Sequence, residues 1–165
     1  MTDEGTNGHA RFAAWDPARA RDIAEALSGK QGACLPILHA LQETFGYIHD
    51  EAIPVVADVL NLSRAEVVGV VHFYHDFRHE PPGRHQLRVC RAESCQAMGG
   101  ELVVDALTSA LGVEPGATTA DGAVTFDSVY CLGNCALSPA AMLDGRLIGR
   151  MTPERATRLV AEARA

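Results

Sequence analysis

The sequence predicts an α/β fold in two parts, a small N-terminal helical bundle followed by a mixed α/β unit. Three observations carry this expectation. Apolar residues recur at helical spacing from about Pro17 to Phe77. The segment Glu80-Pro81-Pro82-Gly83 then breaks the pattern. Beyond it, short strand-like runs alternate with two apolar helical faces. The division expected is residues 1–16 as a flexible N-terminus, 17–80 as the helical bundle and 81–165 as the α/β domain.

In the first part, Leu38, Leu41 and Phe45 fall on one helical face, as do Ile53, Val56, Ala57 and Leu60. Ser63 and Glu66 form a capping box that starts a further helix through Val67, Val70 and Val71. The connectors Phe45–Asp50 and Asn61–Ser63 are short and suit antiparallel neighbours, so three or four helices are expected. In the second part, Gln86–Cys90 reads as a strand. Leu102, Val103, Ala106, Leu107, Ala110 and Leu111 make a helical face ended by Gly112. Val124, Phe126 and Val129 belong to a second strand, and Ala140–Leu143 and Leu147–Met151 pair across the tight-turn dipeptide Asp144-Gly145. Thr152 caps and Pro153 opens a last helix carrying Ala156, Leu159, Val160 and Ala163. The order strand–helix–strand–strand–strand–helix is that of a thioredoxin-like α/β sandwich.

Composition removes several classes of function. Of 165 residues, 47% are hydrophobic and 21% charged, the balance of a globular protein. No apolar run approaches the roughly 18 residues of a membrane span, so no membrane insertion is expected. The net charge of −7 speaks against nucleic-acid binding, which wants clustered Lys and Arg. Most of that charge lies in residues 1–80, with six basic and twelve acidic side chains. An acidic front half suits a partner with a basic face, although a solvated surface explains it equally well. The N-terminus carries no secretory signal pattern, and the five cysteines are odd in number, so a reducing, cytoplasmic location is expected. There is no GxGxxG after a strand and no GxxxxGK[ST], so nucleotide binding by this chain is not expected. No nucleophile–base grouping or carboxylate pair stands out, so no catalytic residue is expected in this chain.

The chemistry lies in the cysteines. Cys90 and Cys95 make a C-x4-C pair, and Cys131 and Cys135 a C-x3-C pair. Each pair sits where a strand gives way to a loop, which lets four thiolates converge on one centre. Gly99, Gly100, Gly133 and Asn134 accompany them and allow backbone N–H groups to approach sulfur. Structural zinc commonly uses C-x2-C knuckles, and a thioredoxin-type dithiol uses C-x2-C at a helix start. Neither spacing is present here. Spacing alone therefore favours an iron–sulfur centre and leaves a zinc-stapled interaction module open.

The stretches Val89–Gly100 (VCRAESCQAMGG), Thr119–Phe126 (TADGAVTF) and Val129–Pro139 (VYCLGNCALSP) closely resemble the thioredoxin-like [2Fe–2S] ferredoxin subunits of NADH-linked complexes. The resemblance extends through Leu35–Tyr47 (LPILHALQETFGY) and Leu60–Phe77 (LNLSRAEVVGVVHFYHDF), covering about residues 30–165. That family includes the small iron–sulfur subunit of complex I (NADH:quinone oxidoreductase), its counterpart in bidirectional hydrogenases and the gamma subunit of NAD-dependent molybdenum formate dehydrogenase. The resemblance implies one [2Fe–2S] cluster held by Cys90, Cys95, Cys131 and Cys135. It also implies a flavoprotein partner that binds FMN and NAD and exchanges single electrons with the cluster. Arg91–Ser94, Gln96–Gly99, SRAEV, FYHDF and PPGRH resemble the formate dehydrogenase branch most. That branch adds a larger catalytic subunit carrying iron–sulfur centres and the molybdenum cofactor.

Other residues have plainer expectations. Cys34 reads as a buried small hydrophobe at a helix start. His72, His75 and His79 have ligand-like spacing but no accompanying carboxylate or cysteine, and read as surface or interface residues. Phe73, Tyr74 and Phe77 are expected in the core rather than on a docking face. Ser138-Pro139 precedes a strand, the place where thioredoxin-like folds often hold a cis-proline, and the sequence leaves cis and trans open.

Overall fold

The computed structural model describes residues 12–164. Of the stretch 1–16 expected to be flexible, residues 1–11 thus lie outside the described residues. Within the remainder, Ala13 N–H donates to Thr44 O at 2.9 Å, and the Trp15 ring stacks on His49 with centroids 4.6 Å apart. The chain forms two compact units that divide between Pro81 and Pro82.

The first unit holds four helices, α1 (Pro17–Leu27), α2 (Cys34–Phe45), α3 (Ala52–Leu60) and α4 (Arg64–Phe73). Each boundary has a local cause. The Asp16 carboxylate accepts from the N–H groups of Ala18 and Arg19, with Pro17 opening α1. Gly46, at φ 87°, ends α2 in the left-handed conformation that glycine adopts most readily. The Ser63–Glu66 capping box starts α4. Ile37, Leu38, Leu41, Val56 and Val67 are fully buried between the helices.

Helix α4 stops at Phe73 rather than running on toward Phe77. Other groups take the backbone polar atoms that a longer helix would use. Gln42, itself buried, donates through Nε2 to Asp76 O at 2.8 Å and accepts from Arg78 N–H at 2.7 Å. The Ile48 N–H donates to Arg78 O. The turn separates the three aromatics expected together in the core. Phe77 is buried, whereas Phe73 is 73% exposed and Tyr74 42%. The core expectation therefore holds for Phe77 alone.

The second unit contains β1 (His85–Cys90), α5 (Glu93–Ala97), α6 (Gly100–Leu111), β2 (Ala117–Thr118), β3 (Val124–Val129), β4 (Ala141–Leu143), β5 (Arg146–Ile148) and α7 (Pro153–Arg164). The sheet order is β2-β3-β1-β4-β5. β1 and β3 are parallel, with His85 opposite Val124 and Cys90 opposite Val129, so the chain between them forms a crossover through α5 and α6. β4 lies antiparallel on the other side of β1, and β5 returns antiparallel to β4. Leu87, Val89, Val124 and Phe126 of the sheet share one core with Val103 and Leu107 of α6 and with Ala156, Leu159 and Val160 of α7. The Ser138–Pro139 peptide is cis.

Three details differ from the expected elements. α5 and the two-residue β2 are additional. β5 ends at Ile148, short of the expected Met151, because the next residues turn onto another loop. Arg150 N–H donates to Leu137 O and Met151 N–H to Pro139 O.

Candidate metal centre

The parallel pairing of β1 with β3 brings their C-terminal ends to the same edge of the sheet. β1 ends on Cys90, and Cys131 follows the last residue of β3 by two positions. The backbone pairing continues one step past the strands, with Arg91 N–H donating to Val129 O at 2.8 Å. On its other side, Cys90 N–H donates to Ala140 O at 3.0 Å. Cys95 lies in α5, the first turn after β1, and Cys135 opens a short 3-10 turn after β3.

The four thiols come in two environments. Cys90 and Cys95 are buried with Ala140 in a small apolar cluster bordered by Ala92, Val129 and Leu132. Burial above all, and then the Cys90 neighbour, push the Cys95 thiol above its ordinary range, while Ala140 N–H and the Ser138 hydroxyl draw it the other way. Cys131 and Cys135 are exposed. Gly133, at φ 74°, turns its N–H onto Cys131 Sγ at 3.2 Å, so the glycine beside this pair does aim a backbone donor at sulfur.

These donors fit a [2Fe–2S] cluster in kind, four thiols at one sheet end. Among the described residues, no three His, Cys, Asp or Glu side chains stand close enough to hold one metal ion.

Residues outside the cysteine pattern shape the site. Gly149 packs against the 134–137 loop, and Gly100 packs against the carbonyl of Cys95. The sequence marks Gly100 as a loop residue, yet it is the buried first residue of α6. Ser94 and Ser138 share a hydrogen bond of 2.7 Å between the two cysteine-bearing segments. No spacing rule points to these serines, and Ser138 stands out in the sequence only through Pro139.

The remaining candidates lie in the helical unit. Cys34 begins α2 and is half-buried, packed against that unit's core, and burial pushes its thiol up. His72 is on α4, whereas His75 and His79 follow its end. The His72 and His79 rings meet at 4.7 Å, and all three histidines are exposed. They form no metal-binding group.

The sheet order, crossover and helix placement define a thioredoxin-like fold with a thiol-rich strand end. The chain belongs to the thioredoxin-like [2Fe–2S] ferredoxin family, whose profile matches residues 20–164. Its cofactor is thus one [2Fe–2S] cluster. Among its relatives is the NADP-reducing hydrogenase subunit HndA of Solidesulfovibrio fructosivorans, 36% identical over 138 residues, which span 84% of this chain and 81% of that protein. A subunit of the NADH-quinone oxidoreductase of Pseudomonas aeruginosa is 38% identical over 130 residues, 79% of this chain and 78% of the relative. A crystal structure of an air-oxidized NAD+-reducing [NiFe]-hydrogenase contains the same fold, with a TM-score of 0.69 and 24% identity. That match covers 79% of this chain but 22% of the hydrogenase chain. No helix among the described residues is long and apolar enough to cross a membrane.

Proposed function

We propose that this chain is the electron-transfer subunit of a cytoplasmic, NAD-linked oxidoreductase complex, with its cluster on the thiolates of Cys90, Cys95, Cys131 and Cys135. The observation that carries the reading is the β1–β3 register, which delivers both cysteine pairs to one end of the sheet. When bound, the cluster supplies one-electron oxidation and reduction. The chain's part is to hold and tune it. Cys90 and Cys95 provide a dry side, Gly133 N–H offsets charge on the Cys131 sulfur, and the exposed pair gives the centre an open side.

The open side suits a redox partner. Met98, Tyr130 and Leu137, each within three residues of a ligand cysteine, are large apolar groups left 40–77% exposed. In the helical unit, Phe73 and Tyr74 are exposed in the same way. A flavoprotein that binds FMN and NAD is the partner we assign, and the isolated chain is expected to have no catalytic activity. Within the family we favour NAD-dependent molybdenum formate dehydrogenase, with a larger iron–sulfur and molybdenum subunit as electron source. The wording from Arg91 to Gly99, together with SRAEV, FYHDF and PPGRH, supports that branch. The similarity to the quinone oxidoreductase and hydrogenase subunits supports the second reading, an equivalent subunit of one of those complexes.

The test is to purify the chain anaerobically, count iron and zinc, and record visible absorption and low-temperature EPR before and after dithionite. About two irons per chain with an S = 1/2 signal on reduction is expected. Cys131→Ser should disturb that signal and Cys34→Ser should leave it intact. A colourless protein that holds one zinc and takes up no iron on reconstitution overturns the reading. Isolation of the intact complex, with formate, quinone and hydrogen compared as redox partners, then decides the branch.

A further inference from the structure

The loop that carries Cys135 rests on a second turn, residues 149–151, which joins β5 to α7. Arg150 N–H donates to Leu137 O at 2.6 Å, and Met151 N–H donates to Pro139 O at 2.9 Å. Leu137 closes the 3-10 turn that Cys135 opens. Helix α7 grips the 149–151 turn in its own way. Arg155, half-buried, donates through Nη1 to Gly149 O at 2.8 Å and to Arg150 O at 2.6 Å.

These four bonds run through two peptide groups. The group between Gly149 and Arg150 accepts from Arg155 at its carbonyl and donates to Leu137 O at its N–H. The group between Arg150 and Met151 does the same toward Pro139 O. A charged donor on each carbonyl polarises the peptide and strengthens the N–H bond beyond it. Two further features show that the contact is held. Arg155 lies in the first turn of α7, where the helix dipole opposes a cation, so the carbonyls rather than the helix account for its place. Arg150, whose Cα joins the two groups, has φ 51°, a left-handed conformation that a residue with a Cβ keeps only where its surroundings impose it.

We propose that Arg155 is a positioning residue for the cluster, acting through the 149–151 turn to fix the loop of Cys135. The proposal rests on the cysteine assignment above. A ligating Cys135 has to keep one place, and a loop free to move outward would open its bond to solvent. Because one nitrogen serves both carbonyls, a lysine ammonium can take over the role and an apolar side chain cannot.

The holo chain is compared as wild type, Arg155→Met, Arg155→Lys and Arg146→Met, each with its iron counted. Arg146 joins the same hairpin to α7 through a different bond, to Glu162 at 2.7 Å. Arg155→Met should release iron to a chelator about tenfold faster, the share of roughly one charge-assisted hydrogen bond. It should also broaden the reduced-state EPR signal as Cys135 samples more positions. Arg155→Lys should restore both in large part, and Arg146→Met should change neither. In the apo chain, hydrogen exchange of the Arg150 and Met151 amides should quicken in Arg155→Met, a reading of the tie that needs no cluster. Wild-type release and line width in Arg155→Met overturn the proposal. An Arg146→Met chain equally impaired overturns it too, since the effect would then be the docking of α7 alone. Should Arg155→Met fail to fold, Arg155→Gln is judged by the same measures. Failure of both to fold overturns the proposal, because the role assigned is to the loop and not to the whole unit. A wild-type chain without iron is the separate failure of the cluster assignment.

Discussion

A Cβ on Gly100 would stand 2.6 Å from the carbonyl oxygen of Cys95 and 2.9 Å from its carbonyl carbon. Both are backbone atoms, which move only if the segment carrying Cys95 moves with them. Glycine at the head of α6 is thus required by space, and the start of the helix is seated directly on the cysteine it follows.

Gly100→Ala should therefore displace Cys95 even though alanine is the better helix former. The overpacking should cost roughly 1–3 kcal/mol. Thermal unfolding of the apo chain reads the cost, and iron per chain after reconstitution reads the displacement. Gly29→Ala is the control, since a Cβ there meets nothing within 4 Å.

Gly149 plays the corresponding part for the second cysteine pair. A Cβ there would fall 2.6 Å from Leu137 Cβ, 2.8 Å from Asn134 Nδ2 and 2.8 Å from Leu137 O. Gly149→Ala should push the 134–137 loop outward and carry Cys135 with it. The expected outcome is faster loss of visible absorption when the holo chain is incubated with an iron chelator. The overpacking should cost roughly 1–3 kcal/mol, because Leu137 Cβ and O yield only if the loop backbone moves.

In the apo chain, Cys131 and Cys135 should react with iodoacetamide well before Cys95 and Cys34. The first two are exposed, Cys95 is buried and Cys34 is half-buried. Burial pushes the thiols of Cys34 and Cys95 up, and only the thiolate attacks. Their labelling should consequently rise at a higher pH than that of a thiol in its ordinary range. Peptide mass spectrometry over a pH series measures both the order and the shift.

Ser63→Ala should cost the helical unit about 1 kcal/mol, the usual loss when an N-cap hydroxyl is removed. In the intact box, the backbone N–H and the hydroxyl of Ser63 hold the Glu66 carboxyl below its usual range. A carboxyl depressed on folding stabilises the fold fully above its unfolded pKa and loses that contribution as pH falls through the lower folded value. Ser63→Ala removes the hydroxyl's share of this difference. Urea unfolding of the two chains should differ most near neutral pH and converge in acid.

How far the sequence reaches depends on the range of the interaction that decides each feature. Local chemistry was legible. The Ser63–Glu66 box, the Gly112 helix end and the Thr152-Pro153 start stand where their residue types imply, and the last is seen in Arg155 N–H donating to Thr152 Oγ1. The periodic faces were legible too, since Leu38, Leu41, Phe45, Val103 and Leu107 are buried. The end of α4 was not, because it is set by Gln42, whose side chain takes the backbone of residues far along the chain. For the same reason Phe73 and Tyr74 left the expected core. At the site, the cysteine spacing was visible, whereas the Ser94–Ser138 contact and the packing of Gly149 on Leu137 exist only once the strands are arranged.

The parallel pairing of β1 with β3 also sets a schedule. On a growing polypeptide, Cys90 and Cys95 leave the ribosome first, followed by α6 and β2, and only then by β3 and the second cysteine pair. Both strands that flank β1, β3 and β4, are translated after it. A nascent chain that has emerged only as far as α6 holds Cys90 and Cys95 with neither their counterparts nor the sheet that shields them. On the cysteine assignment proposed above, the four thiols are present together only once translation has passed Cys135, by which point both β1 and β3 are available to pair.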